Sequence, residues 1–171
     1  MKIASALLLM ASAVQESQVV DDAFDPYVGV ITSLPLTNFS QNQERVSEAS
    51  LNVSTFKVRS TGVVQNYVKL TIVYMVAPQI TGLDEIRVDH ASFEGGVEAD
   101  FERIGGDQHC MSLPSGLGCK TTEVLSVRLP INMPKTGSIK VQFRNRTSSW
   151  RGMVVVPTSV ITQNLSKLPR R

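Results

Sequence analysis

The chain is poor in the residues that most enzymes use. Among 171 residues it has two histidines, His90 and His109, two cysteines, Cys110 and Cys119, one tryptophan, and 6% aromatic residues in all. Histidine does most general acid–base work, and neither histidine here is positioned by a local acid in the way a nucleophilic triad requires. No G-x-S-x-G elbow and no H-E-x-x-H pair occurs. His90 shares strand parity with Ile86 and Val88, which reads as a core or edge histidine held by hydrogen bonds. No catalytic residue, metal site or cofactor is therefore implied, and the chain reads as non-enzymatic.

A second absence concerns charge. The net charge is only +2, yet every one of the 15 acidic residues precedes residue 124. After it come Arg128, Lys135, Lys140, Arg144, Arg146, Arg151, Lys167, Arg170 and Arg171 with no acid among them. A purely cationic third points to an anionic partner, or folds back to neutralise the acidic part of the chain. If the strands at 124–131 and 138–144 are neighbours, Arg128, Lys140 and Arg144 form a solvent-facing ridge, which Arg146 and Arg151 extend beside Trp150. Such a ridge fits a protein face or an anionic polymer. Nucleic acid or an anionic membrane is compatible with it, but no RNP-type motif supports either.

Long apolar runs are lacking too, and the apolar stretch at the start of the chain is too short to span a bilayer as a helix. The first residues, MKIASALLLMASA, have a basic start, an apolar stretch from Ile3 to Met10 and the small-x-small sequence Ala11-Ser12-Ala13. They read as a signal peptide over residues 1–13, with a short N-terminal helix as the alternative. Four of the seven asparagines, Asn38, Asn52, Asn145 and Asn164, begin N-x-S/T sequons. These become glycosylation sites if the chain is secreted or surface-exposed.

What is abundant is alternation of period two, the mark of half-buried strands. It runs through Val28, Val30, Leu34 and Leu36, through Val68, Leu70, Ile72, Tyr74 and Val76, and through Ile86 and Val88. Leu125, Val127, Leu129 and Ile131 continue it, followed by Ile139, Val141 and Phe143. Met153-Val154-Val155-Val156 is a continuous apolar run of the kind shown by strands buried on both faces. In SLNVSTFKVR the apolar parity shifts between Val53 and Phe56, which predicts a β-bulge or bend at Ser54-Thr55. Turn residues, including the pairs Gly95-Gly96 and Gly105-Gly106, separate about eight strands. No helix is expected after residue 20. The fold class is therefore all-β, a single antiparallel β-sandwich or jelly-roll-like domain over 27–162. An acidic leader (14–26) precedes it and a basic tail (163–171) follows.

Three small constellations remain. Gly116 to Thr122, GLGCKTT, has a cysteine where a phosphate loop needs glycine before the lysine, and an alternating strand follows in place of a helix. Glu98, Asp100 and Glu102 would project from one strand face as a solvated acidic edge, without the glycine-turned loop that wraps Ca²⁺. His90, His109, Cys110 and Cys119 lack the paired spacing of a zinc site, since the adjacent His109 and Cys110 point to opposite sides of an extended chain. A disulfide Cys110–Cys119 closing a ten-residue hairpin fits better.

The function these observations favour is a secreted or surface-exposed, glycosylated structural or binding domain. The alternative is a viral or intracellular structural protein of coat, matrix or movement type, whose basic sheet face assembles on RNA or an anionic membrane. Exposed strand edges would also permit a homo-oligomer.

Overall fold

The computed structural model describes residues 16–36, 46–76, 87–114, 116–132, 134, 136–146 and 150–169. The N-terminal segment read as a signal peptide, and the Asn38 sequon, lie outside the described residues. The alternating segments become nine strands: β1 (Ser17–Val20), β2 (Tyr27–Leu34), β3 (Val46–Val58), β4 (Val64–Val76), β5 (His90–Phe93), β6 (Phe101–Leu113), β7 (Gly116–Arg128), β8 (Ser138–Arg144) and β9 (Arg151–Pro157). One helix among the described residues, α1 (Thr158–Lys167), follows. The strands form two antiparallel sheets, a large one in the order β1-β2-β3-β4-β7-β6 and a small one in the order β5-β8-β9. The protein is an all-β sandwich.

The core lies between the sheets. Leu51, Val53, Val68, Leu70, Ile72, Leu125 and Val127 from the large sheet meet Val141, Phe143, Val154 and Val156 from the small one. Each such side chain contributes about 1.5–3 kcal/mol on burial, and their strict alternation fixes which face of every strand turns inward. Three strands cannot cover six, and α1 helps to fill the difference by lying against β2, β3 and β9. Its buried side chains are Thr158, Val160, Ile161 and Asn164. The Asn164 Nδ2 donates to the Val53 carbonyl at 3.2 Å, and its Oδ1 accepts from the Thr32 hydroxyl at 2.6 Å.

Several expectations are overturned. The helix itself was not expected; Thr158, Val160, Ile161 and Thr162 are β-branched, and burial of one face outweighs that weak propensity. It also takes most of the segment read as a basic tail into the domain. The segment read as an acidic leader likewise contains β1, which pairs with β2. Arg59 holds the following turn by donating to Asp21 Oδ1 and to the carbonyls of Asp22 and Asp25.

No bulge occurs at Ser54-Thr55, where the pairing of β3 with β2 and β4 is continuous. Thr55 keeps the inward register of Leu51 and Val53, because its hydroxyl donates to Asn66 Oδ1 at 2.8 Å. Phe56 occupies the other face, over Gly29, where a Cβ would run into its ring. Gly105-Gly106 is not a turn but part of β6, just after a register shift between Arg103 and Gly105. Val154 and Val156 are buried whereas Met153 and Val155 are exposed, so β9 is covered on one face only. Ile131, expected to point inward, is exposed.

Candidate functional site

The outer face of the small sheet is built by simple register. Arg144 of β8 pairs with His90 of β5 on one side and Arg151 of β9 on the other. Directly paired residues share a face, and the inward partners here are Ala91, Phe143 and Gly152. His90, Arg144 and Arg151 therefore form one outward row. Next along the strands comes Ser92, Gln142 and Met153, and then Lys140 with Val155. Arg144 and Arg151 are exposed, and among the described residues neither side chain has an acidic partner. His90 is mostly covered, with Nδ1 3.9 Å from Glu98 Oε1. Its neighbour Val88 is fully buried, so parity breaks at Asp89 and the two do not share a face.

The expected ridge is only partly assembled. Arg128 belongs to β7 in the large sheet, where it pairs with Tyr67 on the face turned away from the core. It is remote from Lys140 and Arg144, because β7 and β8 lie in different sheets. Lys140 is engaged by Glu94 at 2.7 Å, and Arg146 by Asp89 at 3.6 Å with a backbone bond to the same carboxylate at 2.9 Å. Among the described residues the basic third thus does fold against the acidic part of the chain at two points, and Arg144 and Arg151 stand as an adjacent pair of cations without an acidic partner.

The acidic trio does not form one edge. Glu98 lies opposite Ser92, where residues 97–99 run along β5, whereas Glu102 lies on β6 opposite Ser126. Between them the chain crosses from one sheet to the other. His109 points away from Cys110 and meets Asp107 at 2.7 Å. Among the described residues no group of three His, Cys, Asp or Glu side chains could hold a metal.

Cys110 and Cys119 are direct partners across the β6–β7 hairpin, with Cα atoms 4.0 Å apart and sulfurs joined as a disulfide. The hairpin turn is tighter than the sequence suggested, since Leu113 already pairs with Gly116. Sequence reading missed one buried ionic cluster in the same region. Glu123, 5% exposed, accepts from the Val88 amide at 3.2 Å and pairs with Arg103 at 3.3 Å, while Arg103 donates to the Val88 carbonyl at 2.7 Å. It borders an open cavity of about 350 Å³ that Arg87, Asp107, Gln108 and Thr121 also line. Every polar partner in the cluster is satisfied, so it reads as a brace for the chain entering β5. Only the single acid at an inward position of β7 could have signalled it.

The sequons divide. Asn52 is half-exposed on the outer face of the large sheet, with its Oδ1 accepting from Ser33 at 2.8 Å. Asn145 is 5% exposed and Asn164 0%. A glycan on Nδ2 of Asn164 would have to occupy the core of this fold. No known family matches the chain, and no curated protein matches it.

Proposed function

We propose that the chain is a non-enzymatic, secreted or surface-exposed binding domain that engages an anionic partner through the outer face of its small sheet. The observation that carries this reading is the direct pairing of Arg144 with Arg151, with His90 on the same row. Like charges directly opposite one another destabilise a sheet, and an anion seated between them reverses that cost. The exposed Met153 and Val155 beside the row add apolar contact area, as the centre of a protein-binding patch requires. On this reading the Cys110–Cys119 bond forms in an oxidising compartment, and Asn52, with Asn38, carries the glycans.

A second reading, assembly on RNA or an anionic membrane by a viral or intracellular structural protein, shares the row. Exposed apolar side chains next to arginines favour the membrane form of it. One titration separates these readings. The native protein is mixed with an acidic protein, a sulfated polysaccharide, single-stranded RNA and phosphatidylserine vesicles over a range of salt. Binding to the acidic protein or polysaccharide that weakens steeply with salt and is lost in Arg144→Glu supports the leading proposal. Preference for RNA or vesicles moves the assignment to the second, and salt-insensitive or absent binding to all four overturns both.

A further inference from the structure

The sandwich leaves one long strand edge uncovered among its described residues. β1, at one end of the large sheet, is four residues long. In the small sheet, β5 is sealed by residues 97–99 through the bonds Phe93 N to Val97 O and Ala99 N to Ala91 O, and β9 has only seven residues and ends in a proline that leads directly into α1. β6 is different. It has 13 residues, pairs among the described residues only with β7, and from Gly106 to Ser112 is exposed throughout. Natural edges are blunted by lysine, proline, short length or bulges. β6 has one irregularity, between Arg103 and Gly105, and beyond it an uninterrupted ladder with no lysine or proline before Pro114.

We propose that this edge joins a second copy of the chain in antiparallel register about a twofold axis at Gln108. Three independent features select that register. The first is backbone direction. The 4.0 Å Cα separation of Cys110 and Cys119 marks a non-hydrogen-bonded pair within the hairpin. The N–H and C=O groups of Cys110, and by alternation those of Gly106 and Gln108, therefore point out of the free edge. With Gln108 on the axis, Gly106 of each copy meets Cys110 of the other, and all three positions become hydrogen-bonded pairs.

The second feature is side-chain parity. Asp107 and His109 face outward, as their β7 partners Thr122 and Lys120 do. The register sets Asp107 of one copy against His109 of the other, twice, on the same face and in the close type of pair. Both side chains are solvent-exposed, at 66% and 77%, and already attract one another within a single chain at 2.7 Å. The third is shape. The exposed Met111 falls opposite Gly105, whose missing side chain leaves it a seat; within one chain a Cβ at Gly105 would make only ordinary contact, at 3.6 Å from Val124.

Sedimentation of the oxidised chain tests this, up to about millimolar concentration because an edge of this size forms a weak interface. A concentration-dependent dimer is expected, weakening with salt. Asp107→Lys places lysine against histidine, and His109→Asp places aspartate against aspartate. Each alone should raise the dissociation constant about tenfold or more, while their equimolar mixture should form a heterodimer of native affinity. Gln108→Pro removes an outward N–H without touching the β7 ladder and should abolish the dimer with the fold intact by circular dichroism. A protein that stays monomeric throughout, or a dimer indifferent to all three substitutions, overturns the proposal.

Discussion

Replacing Arg151 by glutamate makes stability and binding move in opposite directions. Arg151 and Arg144 are direct partners on β9 and β8, and side chains so placed start from Cβ atoms about 4.5–5.5 Å apart. Two unit charges about 6 Å apart in water repel by about 0.7 kcal/mol. Arg151→Glu removes that repulsion and supplies an attraction of similar size. Solvent-exposed side chains of this length swing apart, and salt screens them, which brings the sum down to about 0.5–1 kcal/mol. Arg151→Ala should gain roughly half as much. The assay is urea unfolding at low salt and again at high salt, with unchanged m-values and a gain that shrinks as salt rises. Binding of the acidic partner should fall about tenfold or more in the same variant. A site selected for binding at the expense of the fold gives this signature, whereas a purely structural arginine loses stability when replaced. If Arg151→Glu destabilises the domain, or stabilises it while leaving anion binding intact, the assignment of this row to a binding function fails.

Four further substitutions have defined outcomes. Asn164→Ala removes two buried hydrogen bonds and three side-chain atoms; since Thr32 keeps Ser17 at 3.0 Å as a partner, a loss of about 2–3 kcal/mol in unfolding free energy is expected. Ser166→Ala destroys the Asn164 sequon while costing only a hydroxyl bond to the Gln163 carbonyl, so intact mass of the natively expressed protein should change by one oxygen and by no glycan. Asn52→Gln should remove a glycan if the chain is exported. Replacing both Cys110 and Cys119 by serine opens a ten-residue loop and should lower stability by about 2.5–3 kcal/mol, with reducing agent reproducing the effect on the unsubstituted protein.

Local alternation made most of the strands legible, because period two survives wherever one face is buried. β4 and β8 could be read residue by residue from Leu70 and Phe143, and the second half of β7 from Leu125 and Val127. Misreadings came where chemistry and position disagree. Thr55 counts as polar in a pattern yet sits in the core once Asn66 takes its hydroxyl. Met153 and Val155 count as apolar yet face water. The paired glycines at 105 and 106 look like a turn, and their role depends on β7, a neighbour that the segment's own sequence cannot name. The candidate site suffered most from that non-locality. Arg144 and Arg151 were identified correctly as exposed cations, but Arg128 was grouped with them because no local pattern tells which of two sheets a strand joins.

The bond between Thr32 and Asn164 spans 132 residues of sequence. Closing a contact that distant in sequence costs loop entropy that only the intervening strand pairings can offset. Folding should therefore be slow for a chain of this size, as for other folds dominated by distant pairings. Until the helix arrives, the inner faces of β2 and β3 stand open. During synthesis that leaves Val28, Val30 and Val53 exposed while more than a hundred further residues emerge. A nascent chain in that state presents an apolar sheet face with no cover, which makes it a substrate for chaperones until its last helix is made.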